Sequence, residues 1–203
     1  MKFSRRRFLG VVAAGSAGLI APRTFAEVRL SDQPLLLPRA MSALQTHASS
    51  IGQRDVIGIV DFNAPSRSAR FHLIDIGNGR VIGEHLVAHG RGSDPGNSGW
   101  VEKLSNRPGS NASCQGSFLT GDIYHGKHGR SRRLAGLDAG NSFAAERGIV
   151  IHEANYVDDS LALTQGRIGR SQGCFAVSRS DIDEVLARLG PERLLFAWKA
   201  EGA

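Results

Sequence analysis

The sequence predicts a mainly β, single-domain fold: an antiparallel β-sandwich or barrel-like sheet with an N-terminal helix and a second helix near its C-terminal end. Three observations carry this. Short β-branched runs recur between clusters of turn residues, as at 56–62, 70–76 and 148–152. Glycine is abundant, 25 of 203 residues, against a usual share of about 7%. Aromatic residues make up only 6%, and helical spacing of apolar residues is confined to short stretches, which suits a loop-rich β protein rather than a helical bundle.

Residues 1–26 read as an export signal. Ser4-Arg5-Arg6-Arg7-Phe8-Leu9 fits the twin-arginine pattern. The apolar run Val11–Ala21 is too short to span a bilayer, which needs about 20 apolar residues. Thr24-Phe25-Ala26 then offers small residues to a signal peptidase. Uncleaved, the same segment would be a membrane anchor; cleaved, no stable membrane span is expected. The segment holds Lys2, Arg5, Arg6, Arg7 and Arg23 and no acid, so it accounts for most of the net charge of +6. From Glu27 onward the chain is near neutral and has no global field to steer nucleic acid, which removes that function class. The expected organisation is a signal peptide over 1–26, a helical segment over 27–55 and the main domain over 56–203.

Leu35, Leu36, Leu37, Met41, Leu44 and Ile51 recur at roughly helical spacing and predict a helix from about Pro38 to Ser50, packed on the outside of the domain. After Gly52 the pattern becomes that of strands. Residues 56–62 and 70–76 are two of them. Gly77-Asn78-Gly79 is a hairpin turn, and 81–87 returns from it. The polar stretch from His89 to about Cys114 is a long loop, a kind that is usually functional or disordered. A strand follows over 116–124. The next stretch holds His125, Lys127, His128, Arg130, Arg132 and Arg133 and reads as a solvated face; the functional alternative is an arginine clamp for carboxylates. Residues 148–152 form a β-branched strand ending at His152. Residues 174–177 are a short strand. Ser178 or Ser180 caps a helix with Ile182, Val185, Leu186 and Leu189 on one face, Gly190-Pro191 stops it, and 194–198 is the last strand.

The chemistry concentrates between Ile149 and Val177. A cysteine needs a base or a low-pKa setting to attack an amide at neutral pH, and histidine is the usual base. Cys174 and His152 are the candidates. Gly173 permits a tight turn that aims successive N–H groups at one point, as an oxyanion hole requires. Spacing alone leaves open a buried, inert Cys174 and a structural His152. The two cysteines, Cys114 and Cys174, raise a disulfide in an oxidising compartment. A domain this long needs none, and Cys114 reads as a packed thiol.

Ile149-Val150-Ile151-His152 followed by Ser171-x-Gly173-Cys174 resembles the signature of the YkuD-type L,D-transpeptidases. The likeness is closer to their murein L,D-transpeptidase catalytic-domain branch. It is carried by Val60-Asp61-Phe62 with Pro65-Ser66, Val87-Ala88-His89-Gly90, Leu104-Ser105-Asn106, Gly109-Ser110, Ser113 with Gly116, 124–129, 147–152 and 169–176. The resemblance implies the β-rich L,D-transpeptidase catalytic fold and a periplasmic cysteine acyltransferase that cross-links peptidoglycan stem peptides. It implies Cys174 as nucleophile, His152 as base, the N–H groups of Gly173 and Cys174 as oxyanion hole, and Tyr124, His128, Arg170 and Ser171 along the substrate groove. No metal and no cofactor is implied, and oligomeric state stays open. Gln172, Phe175 and Glu153 depart from the branch pattern and leave the third member of the triad open. Glu153 reads as a solvated strand-end carboxylate, since adjacent strand side chains face opposite ways.

Three alternatives remain. Water in place of an amine would make an L,D-carboxypeptidase or endopeptidase. A zinc peptidase would use His125, His128, His152 and Cys174, but lacks any H-E-x-x-H or paired-cysteine spacing. A non-catalytic wall-binding module would not need the His152/Cys174 pair.

Overall fold

The computed structural model describes residues 34–200; the export signal expected over 1–26 and the first part of the helical segment lie outside the described residues. The elements run α1 (Leu37–Thr46), β1 (Val56–Asp61), β2 (Phe71–Asp75), β3 (Arg80–His85), β4 (Gly116–Gly126), β5 (Gly129–Gly136), a 3-10 turn (Ala139–Asn141), β6 (Val150–Glu153), α2 (Asp159–Gln165), β7 (Phe175–Val177), α3 (Ile182–Arg188) and β8 (Leu194–Trp198).

One eight-stranded sheet holds them, in the order β3-β2-β1-β8-β4-β5-β6-β7. Its two edges meet. Just beyond β3, the Ala88 N–H donates to the Ala176 carbonyl of β7 at 2.8 Å, and the Ser171 N–H to the His89 carbonyl at 2.9 Å. Closure satisfies backbone groups that an open edge would leave bare. The mainly β, barrel-like expectation stands, with one difference. The sheet is mixed, because β1 pairs with β8 and β6 with β7 in parallel. A parallel pair needs a crossover connection, and α2 supplies one between β6 and β7.

Side chains alternate between two faces, the period-2 pattern of strands. Val60, Phe71, Leu73, Phe118, Ile151, Phe175, Val177, Leu195 and Ala197 fill the interior. Ile182, Val185, Leu186 and Leu189 of α3 join them there. The outward residues Ile57, Ile59, Ile74, Leu194 and Phe196 are covered by Leu37, Ala40 and Leu44 of α1. Helix α1 is shorter than expected, and Leu35 and Met41 are exposed rather than part of its buried face. A third cluster packs Ala162 of α2 against Leu86, Ala88 and Ala176.

Two elements depart from the sequence reading. The polar stretch after Tyr124 is the second half of a hairpin, β4–β5, with Arg130 opposite His125 and Arg132 opposite Ile123. Arg132 is buried, not solvated; it donates to the Leu186 carbonyl at 2.7 Å in the last turn of α3, where a cation complements the helix dipole. Helix α2 was not expected. Its signals are the Asp158 carboxylate, which accepts from the Ser160 N–H at 2.8 Å, and Gly166 at φ 68 as its left-handed stop.

Candidate active site

Two adjacent strands set the site. In the β6–β7 register Ile151 stands opposite Phe175 and His152 opposite Ala176. Cys174 immediately precedes β7, beside Val150. Ile151 and Phe175 point into the interior, so alternation turns Val150, His152 and Cys174 to the outer face together. His152 and Cys174 are thus diagonal neighbours on one face, a separation that a long or ring side chain reaches across. The row extends through Ser131 of β5, paired with His152, to Tyr124 of β4, paired with Ser131.

A groove of about 700 Å³ runs over this face. It is lined by Cys174, His152, Tyr124, His128, Arg170 and Ser171, all of which the sequence analysis placed there, by Lys127, weighed there as part of a carboxylate clamp, and by Arg147 and Tyr156, which it did not foresee. Pro108, Gly109 and Asn111 of the long loop form one wall.

The ring of His152 is fixed on two sides. Its Nδ1 lies 2.7 Å from the Glu153 main-chain carbonyl. A carbonyl only accepts, so Nδ1 carries the proton and Nε2 is left as the acceptor that a base requires. The third group of the site is therefore a backbone oxygen. The His128 ring stacks on His152 with centroids 4.4 Å apart. Burial holds the His152 pKa below its ordinary 6.5, the Glu153 carbonyl opposes this, and the nearby His128 and Lys127 add to the lowering. Burial pushes the Cys174 thiol up, while a backbone contact from Val150 and the charges of Arg147 and Lys127 pull it down. At neutral pH the resting pair is a thiol beside a neutral imidazole.

The turn before the nucleophile is built by Ser171. Its hydroxyl donates to the Cys174 carbonyl at 2.7 Å and accepts from the Gly173 N–H at 3.1 Å. Gly173 sits at φ +119, and a Cβ there would meet the Ala112 carbonyl at 2.8 Å. Glycine is required on both counts. In this structure the Gly173 N–H, expected to line the oxyanion hole, donates to Ser171 Oγ and closes the turn. Arg170 anchors the long loop by donating to the Asp94 carbonyl. The carboxylate clamp is not assembled. Arg130 pairs with Asp183, Arg132 is buried, the Arg133 guanidinium lies 4.3 Å over the Tyr124 ring, and of the four residues of that alternative only Lys127 reaches the groove.

A buried chain behind the site escaped the sequence reading. The Arg70 guanidinium donates to His89 Nδ1 at 2.8 Å and to the Val87 carbonyl at 2.9 Å. His89 Nε2 then donates to Asp94 at 3.2 Å. Burial and the Arg70 charge hold His89 neutral, its pKa down to about 4. The chain fixes the segment whose His89 and Arg91 backbones bond to Ser171.

The family of the L,D-transpeptidase catalytic domain matches the chain over residues 31–198. The chain belongs to this enzyme family. The L,D-transpeptidase match begins at residue 31, so it takes in α1 as well as the sheet. Among solved structures the chain is similar to an L,D-transpeptidase from Mycobacterium smegmatis, at 13% identity and TM-score 0.43, over 71% of this chain and 59% of that one. It is also similar to L,D-transpeptidase 3 from Mycobacterium tuberculosis, at 12% identity and TM-score 0.46, over 71% and 61%. A third is the L,D-transpeptidase from Xylanimonas cellulosilytica, at 14% identity and TM-score 0.43, over 79% and 70%. The chain spans about three-fifths of the length of the first of these. No curated protein matches it.

Both cysteines of this L,D-transpeptidase domain are free. Cys114 belongs to the interior cluster, and burial raises its pKa to about 11. A buried, protonated thiol is a poor nucleophile. Cys114→Ser is expected to keep the rate of Cys174 acylation within about tenfold of the parent, a barrier change near ~1.4 kcal/mol. The rate of adduct formation with a carbapenem, read by intact mass, checks this; a loss beyond a hundredfold in the folded variant contradicts it.

Proposed function

We propose that this chain is an exported cysteine acyltransferase that cross-links peptidoglycan stem peptides. The observation that carries the reading is the placement of Cys174 and His152 on one face of one groove, with His152 Nδ1 tied to the Glu153 carbonyl and Nε2 left to take a proton. The Cys174 sulfur attacks the carbonyl carbon at the L-centre of a diamino acid in a tetrapeptide stem, and the thiol proton passes to His152 Nε2. The Cys174 N–H stabilises the oxyanion. The bond to the terminal D-Ala breaks, and its nitrogen leaves with the proton from His152. A thioester remains. An amine of a neighbouring stem then attacks the thioester, gives its proton to His152, and the Cys174 thiol is restored as the cross-link forms. Tyr124 and His128 contact the stem, while Ser171 and Arg170 serve it through the turn and the loop they hold.

Incubation with purified tetrapeptide muropeptides tests the reading. Cross-linked dimers with free D-Ala are the expected products. Tripeptides alone would move the activity to the carboxypeptidase alternative, and no change in a folded sample would contradict both. Among the described residues no group of three His, Cys, Asp or Glu side chains is placed to hold a metal ion.

Export is part of the proposal. It rests on the Arg5-Arg6 pair ahead of the apolar run Val11–Ala21 and the small residues before Glu27. Among the described residues no helix is long and apolar enough to cross a membrane. Replacing Arg5 and Arg6 by Lys is expected to leave an uncleaved precursor in the cytoplasm, seen by fractionation and immunoblotting. Normal periplasmic maturation of that variant contradicts the twin-arginine assignment.

A further inference from the structure

Arg147 lies in the segment between the 3-10 turn and β6, and its side chain lines the groove. Its guanidinium donates to the Ser105 carbonyl at 2.7 Å and also to the Ala112 carbonyl. Both acceptors belong to the long loop, and they flank Pro108, Gly109 and Asn111, the loop residues that wall the groove. The same guanidinium reaches the nucleophile turn. A Cβ built on Gly173 would lie 3.1 Å from Arg147 Nη2 and 2.8 Å from the Ala112 carbonyl. Its charge also acts on the buried Cys114 thiol, pulling the pKa down against burial. One cation therefore holds the groove wall and lies beside the turn that carries Cys174, with its charge acting on both thiols. The catalytic scheme above assigns it no part.

We propose that Arg147 is the positioning residue of the nucleophile, clamping the 105–112 loop as the groove wall and holding a fixed positive charge beside the Gly173–Cys174 turn. Arginine suits the task because its planar fork serves several acceptors at once and keeps its charge at all working pH values. The charge favours the sulfur anion as the proton leaves for His152, and it stays fixed because the two carbonyls hold it. It acts among other charges. Lys127 and His128 face the groove from the β4–β5 turn, His152 from β6, Glu146 from Arg147's own segment, and Tyr156 and Arg170 from the loops before and after α2. Lys127 also favours the thiolate, so loss of Arg147 weakens the effect without removing it.

The inference rests on Cys174 being the nucleophile, and its test does not use peptidoglycan. The pH profile of Cys174 alkylation by iodoacetamide, followed by peptide mass mapping, is compared among the parent, Arg147→Gln and Arg147→Lys. In Arg147→Gln the alkylation rate at pH 7 is expected to fall about tenfold, with the profile displaced to higher pH. Arg147→Lys keeps the charge and loses the fork, so its profile stays near the parent's while amide exchange across 105–112 becomes faster. A Gln variant with the parent's profile overturns the charge role, and a Lys variant with the parent's exchange overturns the clamp. If the Gln variant does not fold, the Lys variant decides: a profile displaced as far as tenfold despite the retained charge overturns the proposal, and an unmoved profile with a loosened loop supports it. Carbapenem acylation of the parent is scored separately. Its absence would count against the nucleophile assignment, not against Arg147.

Discussion

Cys174→Ala is expected to abolish acylation by a tetrapeptide stem outright. No other group in the groove can take over. The second thiol, Cys114, is buried in the interior with its pKa raised to about 11. The hydroxyl nearest the turn, on Ser171, is committed to the Cys174 carbonyl and the Gly173 N–H. The turn itself does not depend on the sulfur, which makes a weak contact with the Gly148 carbonyl at 3.5 Å and a backbone contact with Val150, so the variant should fold. Intact mass after incubation with substrate reads the result: the parent gains an acyl group and the variant gains none. A stable adduct on the variant would place the nucleophile elsewhere.

The second large effect belongs to His152. His152→Ala is expected to slow acylation by about 10²–10⁴-fold, the usual weight of general acid–base help. With both resting groups neutral, the proton must move as sulfur attacks, and Nε2 is the acceptor. A thiolate formed by Arg147 and Lys127 alone would need no histidine, so a loss below about tenfold would contradict the base assignment. The pH dependence follows from the same geometry. Protonated His152 cannot accept the thiol proton, and burial with its cationic neighbours holds its pKa below 6.5. Activity is therefore full at neutral pH and falls as pH drops through that depressed value. An acid limb centred above 6.5 in the parent, or one unchanged in the His152 variant, contradicts this.

The pair itself was legible because its signal is local. A β-branched strand ends at a histidine and a Ser-x-Gly turn carries a cysteine; spacing alone left an inert thiol open, and the family resemblance these short motifs carry singled out the pair. Other parts had no such signal. Strand β5 reads as polar because its exposed residues Arg130 and Arg133 are charged and its buried Arg132 is an arginine that binds the end of α3 rather than an apolar residue. Helix α2 is seven residues long with only Ala162 buried, too short for a period to emerge. The parallel pairing of β1 with β8 joins strands from opposite ends of the domain, which no local pattern records. The Arg70–His89–Asp94 chain joins the start of β2 to the loop after β3 and becomes visible only when the two meet. The group that sets the His152 tautomer is the carbonyl of Glu153, an atom every residue type has, so its side chain could not announce it. Gly173 was found for the right conformational reason, its positive φ, while its N–H turned out to serve the turn.

The central claim is that Cys174 is an acylating nucleophile served by His152, and reaction with a carbapenem followed by intact mass and peptide mapping tests it most directly. A single adduct should form, located on the peptide that contains Cys174, absent from Cys174→Ala and slowed by about 10²–10⁴-fold in His152→Ala. A folded parent that gains no mass, or an adduct mapped to Cys114 or any other residue, would contradict the account.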